Sequence, residues 1–240
     1  LAYDSSYDEN YFKSMFADHF SDVKEKQANT LFETIQKAGK VAPTISSQYF
    51  TDGDANWYVE SCSAHPSTFG YLNIKRWVDS KNVHPYGGCV SIHDYEESLK
   101  NGGNYTGGLI TPVDTAETLN SLGDDIENTL SSLSDTKNNE FNSFIKEQHA
   151  WASLSRFYGE KLKAVVAIRK YNDADDASAK AEASEHIKNS IASFEPYAKS
   201  FHELYKPMWL TWTGENDMNK ILEKVREDQK TVDNWTKKAY

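Results

Sequence analysis

Residues 141–168, FNSFIKEQHAWASLSRFYGEKLKAVVAI, decide the fold class of this chain. Apolar and small side chains recur in this stretch at every third or fourth position, which is the spacing of one face of an α-helix. The predicted buried face consists of Phe141, Phe144, Ile145, Gln148, Trp151, Ala152, Ser155, Tyr158, Leu162, Val165, Val166 and Ile168. The pattern predicts one long helix at the centre of a helical bundle, and we interpret residues 151–171 as its structural spine.

Helical periodicity continues on both sides of this stretch. Towards the N-terminus it predicts helices over 8–20 and 23–38, the second stopping before Pro43, and a short helix over 72–78. Towards the C-terminus Thr111-Pro112 is typical of a helix start, because the hydroxyl caps the first turn and proline has no N–H to satisfy. The remaining predicted helices cover 111–133, 183–205 with a kink at Pro196, and 217–235.

A glycine-rich stretch, residues 81–110, separates two parts of the chain. Within it Ser91 is expected to cap a short helix, with Asp94 three positions further on. The fold class is therefore predicted to be all-α, an antiparallel helical bundle with a loop-rich N-terminal subdomain. Residues 1–110 would hold the N-terminal helices and the aromatic and Gly-rich loops, and residues 111–240 a four-helix antiparallel bundle.

Two groups of charged residues bear on the packing of the bundle. Glu160 and Lys161 are adjacent on the long helix, so they point in different directions and cannot both lie in the core. Lys161 is a candidate for a buried or interfacial ion pair. The last helix carries mixed charges that are typical of a solvated face: Glu223, Lys224, Arg226, Glu227, Asp228 and Lys230.

Composition excludes several classes of function. The net charge of −10 argues against nucleic-acid binding, because phosphate backbones require clustered Lys and Arg. No apolar run approaches the roughly 20 residues of a membrane-spanning helix. Aromatic residues make up 13% of the chain, which compensates for its thin aliphatic content. The chain begins at Leu1, which leads us to expect a processed product or a piece of a longer protein.

The two cysteines and their neighbouring histidines could form a zinc site. Cys62 and His65 are separated by two residues, Cys89 and His93 by three. We favour buried cysteines and surface histidines, because structural zinc sites usually hold their ligands in tighter knuckles. We therefore expect no metal and no cofactor. A Cys62–Cys89 disulfide stays open, since it depends on an oxidising compartment.

Several residues could bind a carbohydrate. Trp57 and Tyr58 precede Glu60, and an acid beside aromatic rings can bind sugar hydroxyls or, alternatively, cap a neighbouring turn. Trp151 and Tyr158 are more typical of a core. The candidate substrate-binding residues are Trp57, Tyr58, Glu60, His65, Trp209 and Trp212. No catalytic motif is present. Recognition of acidic sugars would need a local cation such as Lys75, Arg76 or Arg156.

Short motifs along nearly the whole chain resemble one family. Leu1-Ala2-Tyr3-Asp4 resembles the segment that leaves the catalytic barrel in α-glucuronidase-type glycoside hydrolases, most closely in large bacterial proteins, many from Bacteroidetes. Trp57-Tyr58-Val59-Glu60-Ser61-Cys62 and Tyr158-Gly159-Glu160-Lys161-Leu162 resemble two further family segments, as do 70–78, Thr111-Pro112 and Tyr205-Lys206-Pro207. The chain departs from the family at Ser5, where proline is frequent, and Cys89 lies outside the family pattern.

The resemblance implies the helical C-terminal region of a polysaccharide-degrading glycoside hydrolase. The family's catalytic carboxylates lie in the barrel, so none is carried over to this chain. The implied partners are the catalytic barrel of the same polypeptide, a polysaccharide, and a second copy in a homodimer, with no nucleic acid and no membrane span. Residues 57–69 would approach the substrate cleft. The implied location is periplasmic or secreted, and the alternative is a non-catalytic carbohydrate-binding or protein-interaction helical module.

Overall fold

The computed structural model describes residues 8–49, 57–64, 70–100, 105–174, 177–210 and 214–237. These residues form an all-α fold, as predicted, with two small antiparallel hairpins. The helices are α1 Glu9–His19, α2 Glu25–Ala38, α3 Val41–Gln48, α4 Ile74–Val78, α5 Ile92–Lys100, α6 Pro112–Leu130, α7 Asn139–Ala174, α8 Ala177–Leu204 and α9 Met218–Asp233. The strands are β1 Trp57–Tyr58, β2 Ser63–Ala64, β3 Met208–Leu210 and β4 Gly214–Asn216, and Val59–Ser61 is one turn of 3-10 helix.

Helix α7, with 36 residues, is the centre of the bundle. It packs against α6 and α8, and α9 packs against α8. The helices alternate in direction. Asn120 and Glu127 on α6 hydrogen-bond to Glu160 and His149 on α7, so the numbering falls on one helix as it rises on the other. The same holds between α8 and α9. This arrangement confirms the predicted antiparallel bundle.

Two glycines allow α6 and α7 to approach closely. A Cβ atom at Gly159 would lie 2.2 Å from the Asn120 side-chain oxygen, and one at Gly123 would lie 2.8 Å from the Ala152 carbonyl oxygen. Any side chain at either position would push the helices apart. Gly159, within the family-like segment, is therefore a contact point between helices.

The N-caps predicted at Thr111 and Ser91 are present, and the structure adds two that the sequence analysis did not assign, Asp8 and Asp217. Asp8, Thr111 and Asp217 each accept a hydrogen bond from a backbone N–H of the following helix, and Thr111 forms a full capping box with Asp114. The Ser91 hydroxyl accepts from the Asp94 N–H at 3.0 Å. Helix α8 runs through Pro196.

Two sequence-based interpretations need correction, and one helix was not predicted. The second predicted helix does end before Pro43, at Ala38, but the periodicity did not predict α3, which begins at Val41 and holds Pro43 in its first turn, where a backbone N–H has no helical partner to lose. Part of the predicted aromatic loop is the β1–β2 hairpin. Asp228, assigned to a solvated face, is only 2% exposed, because α9 turns it towards α4 and α7. One core spans both predicted domains, and their division at residue 110 stays a prediction.

Two almost completely buried charges form an ion pair. Lys161 on α7 and Asp228 on α9 lie 2.9 Å apart, and both side chains are almost completely buried. The Lys161 ammonium also donates to the Tyr71 hydroxyl at 3.0 Å and to the Leu72 carbonyl at 2.9 Å. Asp228 accepts from the Tyr71 hydroxyl and from the Ile74 N–H at the start of α4. We call Lys161, Asp228 and Tyr71, with the backbone of Leu72 and Ile74, the ion-pair cluster. Lys161 thus holds the buried pair that its position predicts.

We predict that breaking this pair destabilises the fold severely. K161M and D228N should each lower the free energy of unfolding by about 3–5 kcal/mol, because each leaves one buried charge without its partner. The double variant K161M/D228N should cost less than the sum of the two, since it removes both charges and keeps an acceptor for the Ile74 N–H. Urea unfolding followed by circular dichroism measures all three.

The matched control is R226M, also on α9. Arg226 pairs with Glu195, but both side chains are about half exposed, so the loss should stay within about 0.5 kcal/mol. Additive effects of K161M and D228N would contradict the assigned coupling.

Candidate functional site

An apolar cleft lies where α7, α8 and the two hairpins meet. Its volume is about 300 Å³. Helix α7 contributes Glu147, Ala150 and Trp151 to its wall. The other lining residues are Tyr58, Glu60, Tyr197, Phe201, Leu204, Tyr205, Met208 and Asn216. An apolar, aromatic wall with a few polar groups is the usual composition of a ligand pocket.

Two tyrosine hydroxyls hold the 3-10 turn at the edge of this cleft. Tyr158 on α7 donates to the Val59 carbonyl, and Tyr197 on α8 donates to the Glu60 carbonyl at 2.7 Å. Both tyrosines are buried, and burial raises their pKa values well above the ordinary value of 10. They therefore stay protonated donors. Because the backbone of Val59 and Glu60 is fixed from two helices, Tyr58 and the Glu60 side chain are kept at the cleft.

A carboxylate–phenol pair also lines the cleft. The Tyr205 hydroxyl donates to Glu147 Oε1 at 3.1 Å. Burial, followed by the negative charge of Glu147, raises the pKa of Tyr205 to about 12. The pair orients both side chains, and the second oxygen of Glu147 keeps acceptor capacity.

The β3–β4 hairpin places Asn216 in the cleft. Met208 pairs with Asn216 in the hairpin register, and both residues line the cleft. Asn216 is only 4% exposed. Its side-chain oxygen has no hydrogen-bond partner among the described residues. Buried amide oxygens are rarely left in this state in folded proteins.

The structure brings together only some of the sequence-predicted site residues. Tyr58 and Glu60 line the cleft. Trp57 instead packs edge-on against Tyr49, Trp77 and Tyr158, with ring centroids 5.5–6.0 Å apart. Trp209 is 77% exposed on β3, outside the cleft lining. His65 and Trp212 lie outside the described residues. The binding role of these six residues stays a prediction.

Sequence analysis missed Glu147 and Trp151 as site residues. Trp151 was interpreted as core, yet it is half-buried and lines the cleft. Glu147 lies one helical turn earlier on the same face, so an i, i+4 spacing joins the two. An acid and an indole one turn apart at the edge of an apolar stripe are the signal that could have identified this face.

The two cysteines lie in the packed interior of the fold. Cys62 and Cys89 are both buried and free, so the possible disulfide is not formed. The Cys62 thiol donates to the Leu72 carbonyl, and burial raises its pKa despite the nearby Lys161. Within the part of the chain that the structure describes, no three His, Cys, Asp or Glu residues cluster as metal ligands.

Comparison with known proteins shows that a solved structure has a similar fold. No protein-family model matches the chain, and no curated protein is similar to it in sequence. The chain is similar to the solved structure of a GH138 enzyme targeting pectin rhamnogalacturonan II, with a TM-score of 0.74 and 13% sequence identity. The match covers 97% of this chain and 36% of that enzyme, so the chain spans about a third of its length. At this identity the likeness shows a shared fold. No described helix is long and apolar enough to cross a membrane.

A carboxyl group with a raised pKa, that of Glu96, lies away from the cleft on α5. Glu96 is 2% exposed. Burial, followed by the negative charge of Asp173, raises its pKa from 4.5 to about 7, although Arg169 and two lysines act in the opposite direction. The folded state therefore binds the Glu96 proton more tightly than the unfolded state. Stability contributed by this proton is full below about pH 4.5 and is lost as the pH rises through 7.

We predict that E96Q removes this pH dependence. Relative to the parent chain, the free energy of unfolding of E96Q should rise by roughly 3 kcal/mol between pH 4.5 and pH 8, because Gln never ionises. Urea titrations at several pH values measure the difference. E97Q is the matched control, since Glu97 is exposed on the same helix. An E96Q difference that is flat with pH would contradict the assignment.

In the cleft, we predict that E147Q lowers the pKa of Tyr205 from about 12 towards 10, because Gln can accept the phenol hydrogen bond but carries no charge. NMR titration of tyrosine labelled with ¹³C at the ring carbon that bears the hydroxyl follows this pKa directly. E203Q is the control, because Glu203 pairs with Lys146. A Tyr205 pKa that does not move in E147Q would show that the two groups are not coupled.

Proposed function

We propose that this chain is the helical, non-catalytic region of a polysaccharide-degrading glycoside hydrolase and packs against the catalytic barrel of the same polypeptide. One observation carries the proposal: a glycoside hydrolase shares the fold over 97% of this chain, and that shared part is 36% of the enzyme. A helical region of this share leaves most of such an enzyme for other domains. The implied location is the periplasm or the cell exterior of a bacterium.

The finer assignment, an α-glucuronidase-type enzyme, comes from the sequence motifs. Two of the family-like segments, 57–62 and 158–162, are in contact in the structure. Tyr158 donates to the Val59 carbonyl, and Lys161 lies 3.9 Å from the Cys62 sulfur. Residues that contact each other are constrained together, which gives a physical reason for the two segments to occur together in a family. This contact supports a shared helical region.

A non-catalytic carbohydrate-binding module is the second candidate. The cleft favours it, since aromatic rings and two carboxylates from separate elements converge there. The two candidate functions differ in how the catalytic barrel responds when the helical region is removed. If the helical region supports the barrel, removing it lowers the stability of the barrel. If it is a binding module, removing it lowers only the affinity for polymers.

We predict that the isolated 240 residues do not hydrolyse aryl α-glucuronides, aryl α-galacturonides or pectin above the uncatalysed rate. The polypeptide that contains these residues together with its barrel should hydrolyse at least one of these substrates. Removing the helical region from that polypeptide should lower the melting temperature of the barrel. E60Q and E147Q serve as controls, because turnover by the isolated chain that either variant abolishes would assign catalysis to the cleft and contradict the proposal.

A further inference from the structure

The cleft presents two carboxylates whose capacity to accept hydrogen bonds is only partly used: Tyr205 donates to one oxygen of Glu147. Glu60 and Glu147 contribute carboxylates, and the Asn216 amide oxygen is buried without a partner. The described lining contains no Lys, Arg or His. An ionised carboxylate has two oxygens that only accept hydrogen bonds, so oxygens left unpaired at the cleft can accept from the hydroxyl groups of a ligand. The cleft therefore suits a ligand that has several hydrogen-bond donors.

The same cleft presents aromatic surfaces to that ligand. Tyr58, Trp151 and Tyr205 line it from three different elements. Aromatic rings provide large apolar faces with little loss of side-chain entropy. A ligand that combines an apolar face with a rim of hydroxyl groups satisfies both kinds of surface. A pyranose ring has this construction, since its C–H groups and its hydroxyls project in different directions.

Charge selects among sugars. Two carboxylates in a cleft without a described cation repel an anionic ligand, and the net charge of −10 acts in the same direction. The basic residues that acidic sugars would need lie elsewhere: Arg156, for example, is bound to Asp124 and the Gly123 carbonyl. The volume of about 300 Å³ lies at the lower end of ligand pockets, which suits one or two sugar rings.

From this combination we propose that the cleft binds a neutral sugar residue of a polysaccharide. The ligand class rests on the proposed function, but the site rests on the geometry alone. Glu60 and Glu147 accept hydrogen bonds from the sugar hydroxyls, the Asn216 amide contributes a further polar group to the wall, and Trp151 packs against the sugar ring. The cleft thereby holds an uncharged part of a polymer, while acidic residues of that polymer are excluded from it.

The test is an NMR titration of the whole chain. The ¹H–¹⁵N resonance of the Trp151 indole is followed during addition of D-galactose, L-rhamnose, D-xylose or D-galacturonate. Galactose and galacturonate differ only at C6, so they isolate the effect of charge. At least one neutral sugar should shift the resonance saturably, and galacturonate should bind at least about tenfold more weakly than galactose.

Three variants separate binding from folding. E60Q/E147Q should bring the affinities for galactose and galacturonate closer together, because it removes the repulsive charges. N216L should weaken neutral-sugar binding by about tenfold without lowering the unfolding midpoint, because the buried oxygen makes no bond that is lost among the described residues. W209L should leave the affinity for neutral sugars unchanged. If Trp209 binds the sugar, as predicted from the sequence, W209L should instead weaken binding.

Four results would overturn the inference: no shift with any neutral sugar, equal or tighter binding of galacturonate, loss of binding in W209L but not in N216L, or tighter binding of tetramethylammonium than of the sugars. The last would reassign the aromatic wall to a cationic ligand. A failure of the proposed function is seen as turnover by the isolated chain. Turnover by the isolated chain can occur whether or not the Trp151 resonance shifts with sugar. The failure of the proposed function and the failure of the sugar-binding inference are therefore distinguishable.

Discussion

The buried ion pair between Lys161 and Asp228 is the interaction on which the rest of the structure depends. Two charges taken out of water are tolerated only when their remaining donors and acceptors are satisfied. The three protons of the Lys161 ammonium point to Asp228, the Tyr71 hydroxyl and the Leu72 carbonyl. Each of these partners belongs to a different part of the chain from α7. Once Lys161 is buried, α9 and the residues before α4 have little freedom in where they pack.

The constraint extends from the ion-pair cluster to the cleft. The Leu72 N–H donates to the Cys62 carbonyl at 2.8 Å, which ties the end of the β1–β2 region to the cluster. Tyr158, one turn before Lys161 on α7, and Tyr197 on α8 then fix the 3-10 turn that carries Glu60. The wall of the cleft is thus positioned by hydrogen bonds to backbone carbonyls. Side chains on so short a segment could not be oriented by local structure, because a two-residue hairpin is not stable alone.

Local chemistry made much of the fold predictable, and long-range contacts account for what was missed. Most of the helices, the caps at Thr111 and Ser91, and the buried face of α7 follow from spacing within a few residues. Lys161 was recognised as a candidate for a buried pair, but its partner was assigned to solvent, because Asp228 is 67 positions away in a charged helix. The cleft was predicted in part, through Tyr58 and Glu60. The spacing of Glu147 and Trp151 places them on one helical face, but their meeting with Tyr58, Glu60 and Asn216 depends on tertiary packing, which periodicity does not encode.

The central claim is that the ion-pair cluster holds the residues next to the cleft in place. Hydrogen exchange measured by mass spectrometry on D228N tests it most directly. The account predicts a larger fall in protection in 57–64 and 70–78 than in α6, where protection falls only by the global loss of stability, because none of the cluster's described hydrogen bonds goes to α6. Protection that falls equally in all helices, or that stays unchanged in 57–64, would contradict the account.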